Sequence, residues 1–323
     1  MKALVQTAVE RLELLDVDDP VPPAGEVMVR IEASGICGSD MHAYLGHDAR
    51  RPTPIVLGHE AAGTIVGTGE RVTINPLVAC GACRFCEDER ENLCERREII
   101  SMPPRAGAFA EQVAMPRRNL VPVPDGFDLA RAALAEPIAC GWHAVRLARE
   151  YLGGSLDGLA AAVVGGGPIG VGAALSLRAQ GAGAVTVIEP NALRRDHLVS
   201  GGFTAVDASD GLFAVVVDAV GLAATRALAS RLAQPGGVIA HIGLGEAEGG
   251  LDIRRMTLAE IGFIGTYTYT ARDFREAARA MFDGRLGALD WIEARPLEDG
   301  AQAFADIRAG RVAAPKIILE PNA

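Results

Sequence analysis

The sequence predicts an α/β protein of two domains, one built mainly from β-strands and the other from a doubly wound parallel sheet. At 323 residues the chain is longer than one ordinary domain. From residue 159 onward, short apolar runs alternate with helix-like segments, which is the pattern of βαβ units. Residues 1–130 instead carry short alternating segments separated by Pro and Gly, as in "VPPAGEVMVRIEASG", which is typical of antiparallel strands.

The β-rich part contains three segments with metal-ligating side chains. Cys37 lies in "GICGSDMH", whose glycines lead us to expect an irregular segment rather than a regular helix. His59 and Glu60 follow in "LGHEAAG", and Glu136 precedes a proline in "LAEPIACGWHA". Thiolate, imidazole and carboxylate together suit a catalytic Zn²⁺ with one open position. Each residue also has an ordinary explanation as a packed thiol or a solvated turn, and spacing alone does not show that the segments converge.

Four further cysteines are clustered in "CGACRFCEDERENLC", residues 80–94, with spacing C-x2-C-x2-C-x7-C. Two residues between successive thiolates allow the sulfurs to turn toward one point, and a more distant fourth closes a tetrahedron. Disulfides between residues so close in sequence would restrict little of the unfolded chain. We therefore predict a structural zinc site, without a catalytic role, whose ligands are Cys80, Cys83, Cys86 and Cys94.

The second half of the chain opens with a dinucleotide-binding pattern. The apolar run 159–165 predicts a buried strand, and "GGGPIG" after it satisfies G-x-G-x-x-G. Glycines at these positions allow the backbone to approach a pyrophosphate, which the N-terminus of the following helix attracts. The predicted cofactor-binding residues of this turn are Gly165, Gly167, Pro168, Ile169 and Gly170.

The nucleotide type is indicated by the end of the next predicted strand, "AVTVIE". Glu189 stands there, and a carboxylate at this point accepts hydrogen bonds from the ribose diol and repels a 2′-phosphate. This favours NAD over NADP. Arg194 and Arg195 argue in the other direction, since an arginine nearby could receive a phosphate, although both also fit a solvated helix face.

The alternation continues through "LFAVVVDAVG", "VIAHIG" and "IGFIGTYTYT", which predict further parallel strands. The tail "APKIILE" resembles a strand that returns to the first domain. We therefore predict a discontinuous first domain over 1–136 and 286–323, with a zinc lobe at about 78–96, and an inserted Rossmann domain over 137–285.

Charge and composition exclude several classes of function. A net charge of -10 makes nucleic acid and anionic membranes poor partners. Residues 159–177 lack charge, but their Gly-Pro-rich centre and short length favour a strand, a turn and a buried helix over a membrane span. No signal peptide is visible, so we expect a cytoplasmic protein. Lys2 and Lys316 are the only lysines, which leaves almost no candidate for Schiff-base chemistry.

"GICGSDMH", "GHEAAG" and the four-cysteine lobe, in this order, resemble the zinc-dependent medium-chain dehydrogenase/reductase family, with the sorbitol (polyol) and threonine dehydrogenase branch nearest. The resemblance implies a GroES-like first domain, in which Cys37 and His59 are ligands of the catalytic zinc. It makes either Glu60 or Glu136 the further ligand, and the other a residue beside the metal. It also implies a homodimer or homotetramer.

The resemblance assigns further roles. Ser39 and His42 would pass the substrate proton toward solvent, and Asp40 would orient a ligand histidine, although turn capping also explains Ser39 and Asp40. Val220 and Leu244 would lie near the nicotinamide. The family usually has a longer excursion where this chain has "GTGERV", so we expect a tighter hairpin there.

The activity that these features predict is zinc-dependent hydride transfer from a secondary alcohol, a polyol or related hydroxy compound, to NAD. Threonine-type amino-alcohol oxidation and aldehyde reduction are alternatives within the family. A nucleotide-binding protein without catalysis is the alternative from another class. The aromatic residues considered for the substrate pocket, which are equally common in cores, are Tyr44, Phe109, Trp142 and Tyr267.

Overall fold

A computed structural model describes residues 1–322, which form two compact units. The first unit comprises Met1–Glu136 and the stretch from Ile292 to the end of the described chain. The second unit is the inserted segment Pro137–Trp291. The sequence-based boundary at 286 lies somewhat earlier than the second of these divisions.

The apolar side chains just before this division explain where it falls. Leu286, Leu289 and Trp291 are buried, and they line one small cavity of the second unit together with Leu175 and Phe203. Burial of these side chains keeps the stretch before Ile292 with the second unit.

The first unit is mainly β-structure with short helices. Its strands before the insertion are β1 (Lys2–Ala8), β2 (Arg11–Asp16), β3 (Glu26–Gly35), β4 (Ile55–Val56), β5 (Glu60–Ile65), β6 (Arg71–Ile74), β7 (Leu77–Val78), β8 (Glu98–Ile99), β9 (Gln112–Pro116) and β10 (Leu120–Pro122). Its α-helices there are α1 (Gly38–Tyr44), α2 (Arg84–Glu87) and α3 (Leu129–Ala132), with 3₁₀ turns at Glu91–Leu93 and Arg117–Asn119.

The second unit alternates strands and helices after α4 (Ala135–Tyr151), which begins at the boundary. Its strands are β11 (Ala160–Val164), β12 (Ala184–Ile188), β13 (Thr204–Val206), β14 (Phe213–Asp218), β15 (Ala233–His241) and β16 (Gly262–Gly265). Its helices are α5 (Pro168–Ala179), α6 (Ala192–Ser200), α7 (Ala223–Leu232), α8 (Ile253–Leu258) and α9 (Ala271–Phe282). The chain then completes the first unit with β17 (Ile292–Pro296), a 3₁₀ turn (Leu297–Asp299), α10 (Gly300–Arg308) and β18 (Lys316–Glu320).

The sheets differ in kind between the two units. The second unit has one parallel sheet in the order β13-β12-β11-β14-β15-β16, and the order reverses between β11 and β14, as in a Rossmann domain. The main sheet of the first unit runs β10-β6-β5-β3-β18-β17, with β9 also paired to β3. The tail strand β18 lies between β3 and the edge strand β17, and it helps to build the site described below. These sheets confirm the predicted α/β fold class.

Hydrophobic packing accounts for part of the aromatic content. Tyr44 and Phe109 belong to the core of the first unit, where their rings lie 5.2 Å and 6.0 Å from that of Phe304. Trp142 is also buried, and its indole N–H donates to Glu276. Tyr44 and Phe109 therefore contribute to the packing of this core.

The uncharged stretch 159–177 forms β11, the glycine turn and most of α5, as the breaker residues predict. Within residues 1–322, no helix combines the length and apolar character needed to cross a bilayer. The hairpin between β5 and β6 is tight, because only residues 66–70 connect the two strands.

Candidate metal and nucleotide sites

Cys37 is the residue that caps helix α1, and here the sequence-based expectation of an irregular segment is wrong. The helix begins at Gly38, so the glycines of "GICGSDMH" do not interrupt it. The Cys37 N–H donates to Asp40 Oδ2 at 3.0 Å, which satisfies one of the free N–H groups at this end. A capping carboxylate therefore compensates for the poor helix propensity of the segment.

The sheet brings His59 and Glu60 to Cys37. Strand β5 begins at Glu60, which pairs with Gly35 at the end of β3, and Cys37 follows two residues later. The Cys37 sulfur, a His59 ring nitrogen and a Glu60 carboxylate oxygen all lie within 4.8 Å of one another. Thiolate, imidazole and carboxylate at this separation fit a catalytic Zn²⁺. Antiparallel register thus provides the convergence that spacing alone could not show.

Asp40 is fully buried beside the histidine. Its Oδ1 lies 3.4 Å from His59 Nδ1 and accepts from the Gly58 N–H. Burial opposes both charges, but the Asp40 carboxylate and then the Cys37 thiolate raise the pKa of His59 well above its ordinary value. Since Nδ1 faces Asp40, the other ring nitrogen remains for a metal.

Lys316, on β18, is a site residue that sequence reasoning missed. Its Nζ lies 2.7 Å and 2.5 Å from the two Glu60 carboxylate oxygens and donates to the Ile36 carbonyl at 2.8 Å. Burial would lower the pKa of Lys316, but the adjacent Glu60 carboxylate outweighs burial and raises it. The scarcity of lysine in the sequence was the available signal, because a lone lysine in an apolar strand must find a buried partner.

Glu136 does not join the three clustered ligands within the described residues. It is buried in the first turn of α4, and its charge contributes to the raised pKa of Lys316. The structure therefore brings Glu60, and not Glu136, into the ligand cluster.

Ser39 and His42 both lie on α1. His42 is exposed, and Ser39 is half-buried. The Ser39 carbonyl accepts a 2.7 Å hydrogen bond from Arg51, a residue that the sequence analysis did not single out. The helix thus carries Cys37, Ser39, Asp40 and His42 on one short element.

The four cysteines of residues 80–94 also converge, with their sulfurs within 4.8 Å of one another. Cys86 Sγ lies 3.9 Å from that of Cys80 and 3.5 Å from that of Cys83, near the edge of about 3.8 Å that a tetrahedron with Zn–S bonds of about 2.3 Å requires. None of the six cysteines forms a disulfide. The donor set fits Zn²⁺ and leaves no open position.

Hydrogen bonds favour the thiolate form in part of this lobe. The Ala82 N–H donates to Cys80 Sγ at 3.5 Å, and this contact helps lower the pKa of Cys80 to about 6. The Arg96 guanidinium also donates to that sulfur, at 3.3 Å. Burial and the neighbouring thiols raise the pKa of Cys86 to about 12, so this thiol would bind a metal with release of its proton.

The glycine turn of the second unit has the geometry of a phosphate cradle. Gly165 has φ of +100°, Gly167 caps α5, and Pro168 occupies its first turn. A Cβ on Gly170 would lie 1.8 Å from the Gly165 carbonyl oxygen, so the turn closes only with glycine there. Ile169 is half-buried in the same helical turn.

Glu189 follows β12 and is buried against this turn. Its carboxylate accepts from the Gly166 N–H at 2.9 Å and from the Asn191 N–H at 2.8 Å. Arg194 Nη1 lies 3.5 Å from the same carboxylate, whereas Arg195 donates to the Glu189 carbonyl. Arg194 is therefore already paired with a carboxylate, which weakens the case that it receives a 2′-phosphate.

Val220 and Leu244 follow β14 and β15 at the carboxyl edge of the parallel sheet. Val220 packs against the Gly165 turn, since its Cγ2 lies 2.5 Å from the position a Gly165 Cβ would take. Leu244 is 77% exposed. Gly221 and Gly243 hold the two loops together through direct backbone contact. This edge of the sheet is where a doubly wound domain binds its ligand.

Comparison with known proteins gives a consistent result. Residues 23–125 match the family model described as alcohol dehydrogenase GroES-like domain, and residues 168–283 match the one described as zinc-binding dehydrogenase. L-galactonate-5-dehydrogenase of Escherichia coli K12 is 33% identical over 292 residues, which cover 83% of this chain and 84% of the relative. Probable D-xylulose reductase A of Neosartorya fischeri is 30% identical over 329 residues, covering 91% of this chain and 90% of that protein.

Solved structures agree with the fold. A zinc-binding dehydrogenase of Sinorhizobium meliloti 1021, bound to NADP, matches with a TM-score of 0.88 and 29% identity. The match covers 99% of both chains.

Proposed function

The chain belongs to the zinc-dependent medium-chain dehydrogenase/reductase family, in its polyol dehydrogenase branch, and from this we propose that it oxidises a secondary alcohol with NAD as the hydride acceptor. The substrate class that we propose is a polyol or a related hydroxy compound such as a sugar acid. The names of the relatives from Escherichia coli and Neosartorya fischeri support this class.

The observation that carries the proposal is the convergence of Cys37, His59 and Glu60 within 4.8 Å. The three side chains come from the start of α1 and the start of β5. Their mixed donor set is that of a catalytic zinc, while the all-thiolate lobe is that of a structural one. A nucleotide-binding protein without catalysis would have no need for such a donor set.

When bound, zinc would act as a Lewis acid that favours loss of the substrate hydroxyl proton, and NAD would accept a hydride from the carbon that bears this hydroxyl. Within this chain, Cys37, His59 and Glu60 would hold the metal, and Asp40 would fix the His59 ring through Nδ1. Ser39 Oγ would accept the substrate proton as it gives its own hydroxyl proton to His42, and the exposed His42 ring would then release a proton to water. We assign Glu136 a supporting position beside this set.

We propose that the second unit binds NAD through the turn of Gly165, Gly167, Pro168, Ile169 and Gly170. Glu189 stands at the end of β12, where a ribose diol can donate to its carboxylate, and Val220 and Leu244 lie on the adjacent loops. The two units as we assign them are the catalytic domain, residues 1–136 and 292–322, and the NAD-binding domain.

Initial rates of reduced-nicotinamide formation test the proposal. The panel contains polyols, sugar acids, threonine and simple secondary alcohols, each with NAD and with NADP. We expect oxidation of one polyol or sugar acid, and a kcat/KM about a hundredfold or more lower with NADP, because Glu189 would face its 2′-phosphate. Prior treatment with a chelator should abolish the rate, and zinc should restore it.

Other outcomes separate the alternatives. Turnover confined to threonine would support amino-alcohol oxidation as the activity. Turnover found only with aldehydes and reduced nicotinamide would support aldehyde reduction. No turnover with any substrate, in protein that holds its full zinc, would contradict the proposed activity and leave a nucleotide-binding role.

We also propose a homodimer or homotetramer located in the cytoplasm. Strand β16 is the outermost strand of the parallel sheet and carries Phe263, which is 38% exposed. A free edge of this kind offers backbone groups to a second copy. The reduced thiols needed by both metal sites support a reducing compartment. Light scattering at micromolar protein should give two or four times the chain mass of 33.7 kDa, and a mass of one chain would contradict this assignment.

A further inference from the structure

Two adjacent arginines near the proposed zinc site differ sharply in environment. Arg50 is 63% exposed and pairs with Asp48, whereas the Arg51 side chain is 1% exposed and its Nη1 lies 3.5 Å from the same carboxylate. Burying a guanidinium costs several kcal/mol unless its N–H groups all find acceptors. The contacts of Arg51 should therefore indicate why it is buried.

Arg51 connects two separate segments of the first unit. Its Nη1 donates to the Ser39 carbonyl at 2.7 Å, and its Nε donates to the Ser101 carbonyl at 3.0 Å. Its Nη2 also lies 3.4 Å from Ser39 Oγ and 3.3 Å from Ser101 Oγ. Both segments reach the proposed zinc site. Ser39 lies two residues after Cys37, and Ser101 contacts His59.

Ser101 contacts the proposed metal ligand His59. It is fully buried, and its Oγ lies 3.4 Å from His59 Nδ1, the ring nitrogen that also faces Asp40. Ser101 has φ of +71°, which costs a side-chain-bearing residue about 1 kcal/mol or more relative to glycine. Glycine would adopt this backbone freely but would have no hydroxyl to offer His59.

We propose that Arg51 is a positioning residue for the metal site, acting through Ser101 on His59 and through the Ser39 carbonyl on α1. The fork of the guanidinium fixes Ser101, whose hydroxyl joins Asp40 in holding the His59 ring. The same fork fixes the first turn of α1, which carries Cys37 and Ser39. This inference depends on the zinc site proposed above.

Zinc release from the purified protein to a chromophoric chelator tests this role without a substrate. The wild-type chain should hold two zinc ions that leave in two phases, one from each cluster. Arg51→Lys keeps the charge but loses the fork, and Ser101→Ala removes only the hydroxyl. We expect each to release one zinc about 10–100-fold faster, the usual effect of removing a partner of a metal ligand, with the other phase unchanged. Arg11→Lys, the matched control, changes an exposed arginine of the same unit whose partner is Glu13, and it should behave as the wild type.

The results of this experiment distinguish failure of the proposed zinc site from failure of the proposed role of Arg51. If the wild-type chain releases only one zinc, the proposed catalytic metal site is contradicted, and this inference, which depends on that site, fails with it. Two zinc ions that leave Ser101→Ala and Arg51→Lys at the wild-type rates would overturn the role of Arg51 alone. A lower melting temperature with unchanged zinc release would show that Arg51 serves only the fold and would also overturn it. If Arg51→Lys does not fold, Ser101→Ala tests the contact through which Arg51 would act on His59, and wild-type zinc release from Ser101→Ala would overturn the proposed role.

Discussion

Replacing His59 by Ala, or Cys37 by Ser, should reduce kcat for alcohol oxidation by about a thousandfold or more, while NAD binding is retained. The expected loss corresponds to about 4 kcal/mol, a modest part of what a Lewis acid contributes to a developing negative charge. Each change removes one of three ligand atoms that lie within 4.8 Å of one another. The glycine turn and Glu189 belong to the second unit and are not altered.

The measurements are kcat on the substrate found in the panel, the dissociation constant of NADH, and zinc content. Cys140→Ser is the matched control, because this buried thiol lies outside both metal clusters. It should keep two zinc ions and full activity, whereas the ligand variants should keep only the zinc of the cysteine lobe. Undiminished turnover in either ligand variant would contradict the proposed mechanism, and loss of NADH binding would show that the change is not confined to the metal site.

Local features of the site followed from the sequence, because the physical requirement and the residues are close together. Gly165, Pro168 and Gly170 constrain one turn, and their spacing, together with the apolar run before them and Glu189 after them, indicates a strand, a phosphate cradle and a helix. The four-cysteine lobe is contained within fifteen positions, residues 80–94, so its convergence was also predictable.

Features that depend on strand register were not predictable in the same way. The approach of Cys37 to Glu60 results from the pairing of Gly35 with Glu60 across β3 and β5. Local capping also overrode a sequence signal, since Asp40 caps a helix in a segment whose glycines predict none. Pattern analysis cannot weigh a side-chain cap against low helix propensity unless the cap geometry is known.

Long-range partners were missed altogether. Lys316 and Glu60 are separated by 256 residues in the sequence, and Arg51 and Ser101 by 50. Each pair consists of buried polar groups whose charges or hydrogen bonds must be satisfied. The apolar strand around Lys316 hints at its burial but does not name its partner, and Arg51 is one of many arginines; only the fold shows where each is buried and what it contacts.

Replacing Lys316 by Met should lower the free energy of unfolding of the zinc-free protein by about 3–5 kcal/mol, because it leaves the buried Glu60 carboxylate without its cation. Both side chains are almost completely buried, so water cannot compensate. Nor can Glu60 turn away easily, since its Oε2 lies 2.2 Å from the position that a Cβ on Gly35 would occupy, closely packed against that backbone. Lys2→Met is the matched control, as Lys2 pairs with Asp16 at the surface and should contribute less than about 1 kcal/mol.

Urea unfolding followed by circular dichroism measures this effect, and tryptophan fluorescence provides a reference, because Trp142 and Trp291 both belong to the second unit. The double variant Lys316→Met with Glu60→Gln should recover part of the stability, since removing both charges of a buried pair is less costly than removing one. Added zinc should also reduce the destabilisation of Lys316→Met, because the metal supplies a positive charge to the same carboxylate. Equal stability of the Lys316→Met and Lys2→Met proteins without zinc would contradict the assigned role. If added zinc does not reduce the loss of unfolding free energy in Lys316→Met, Glu60 does not bind the metal. The Lys316–Glu60 pair would then stabilise only the sheet.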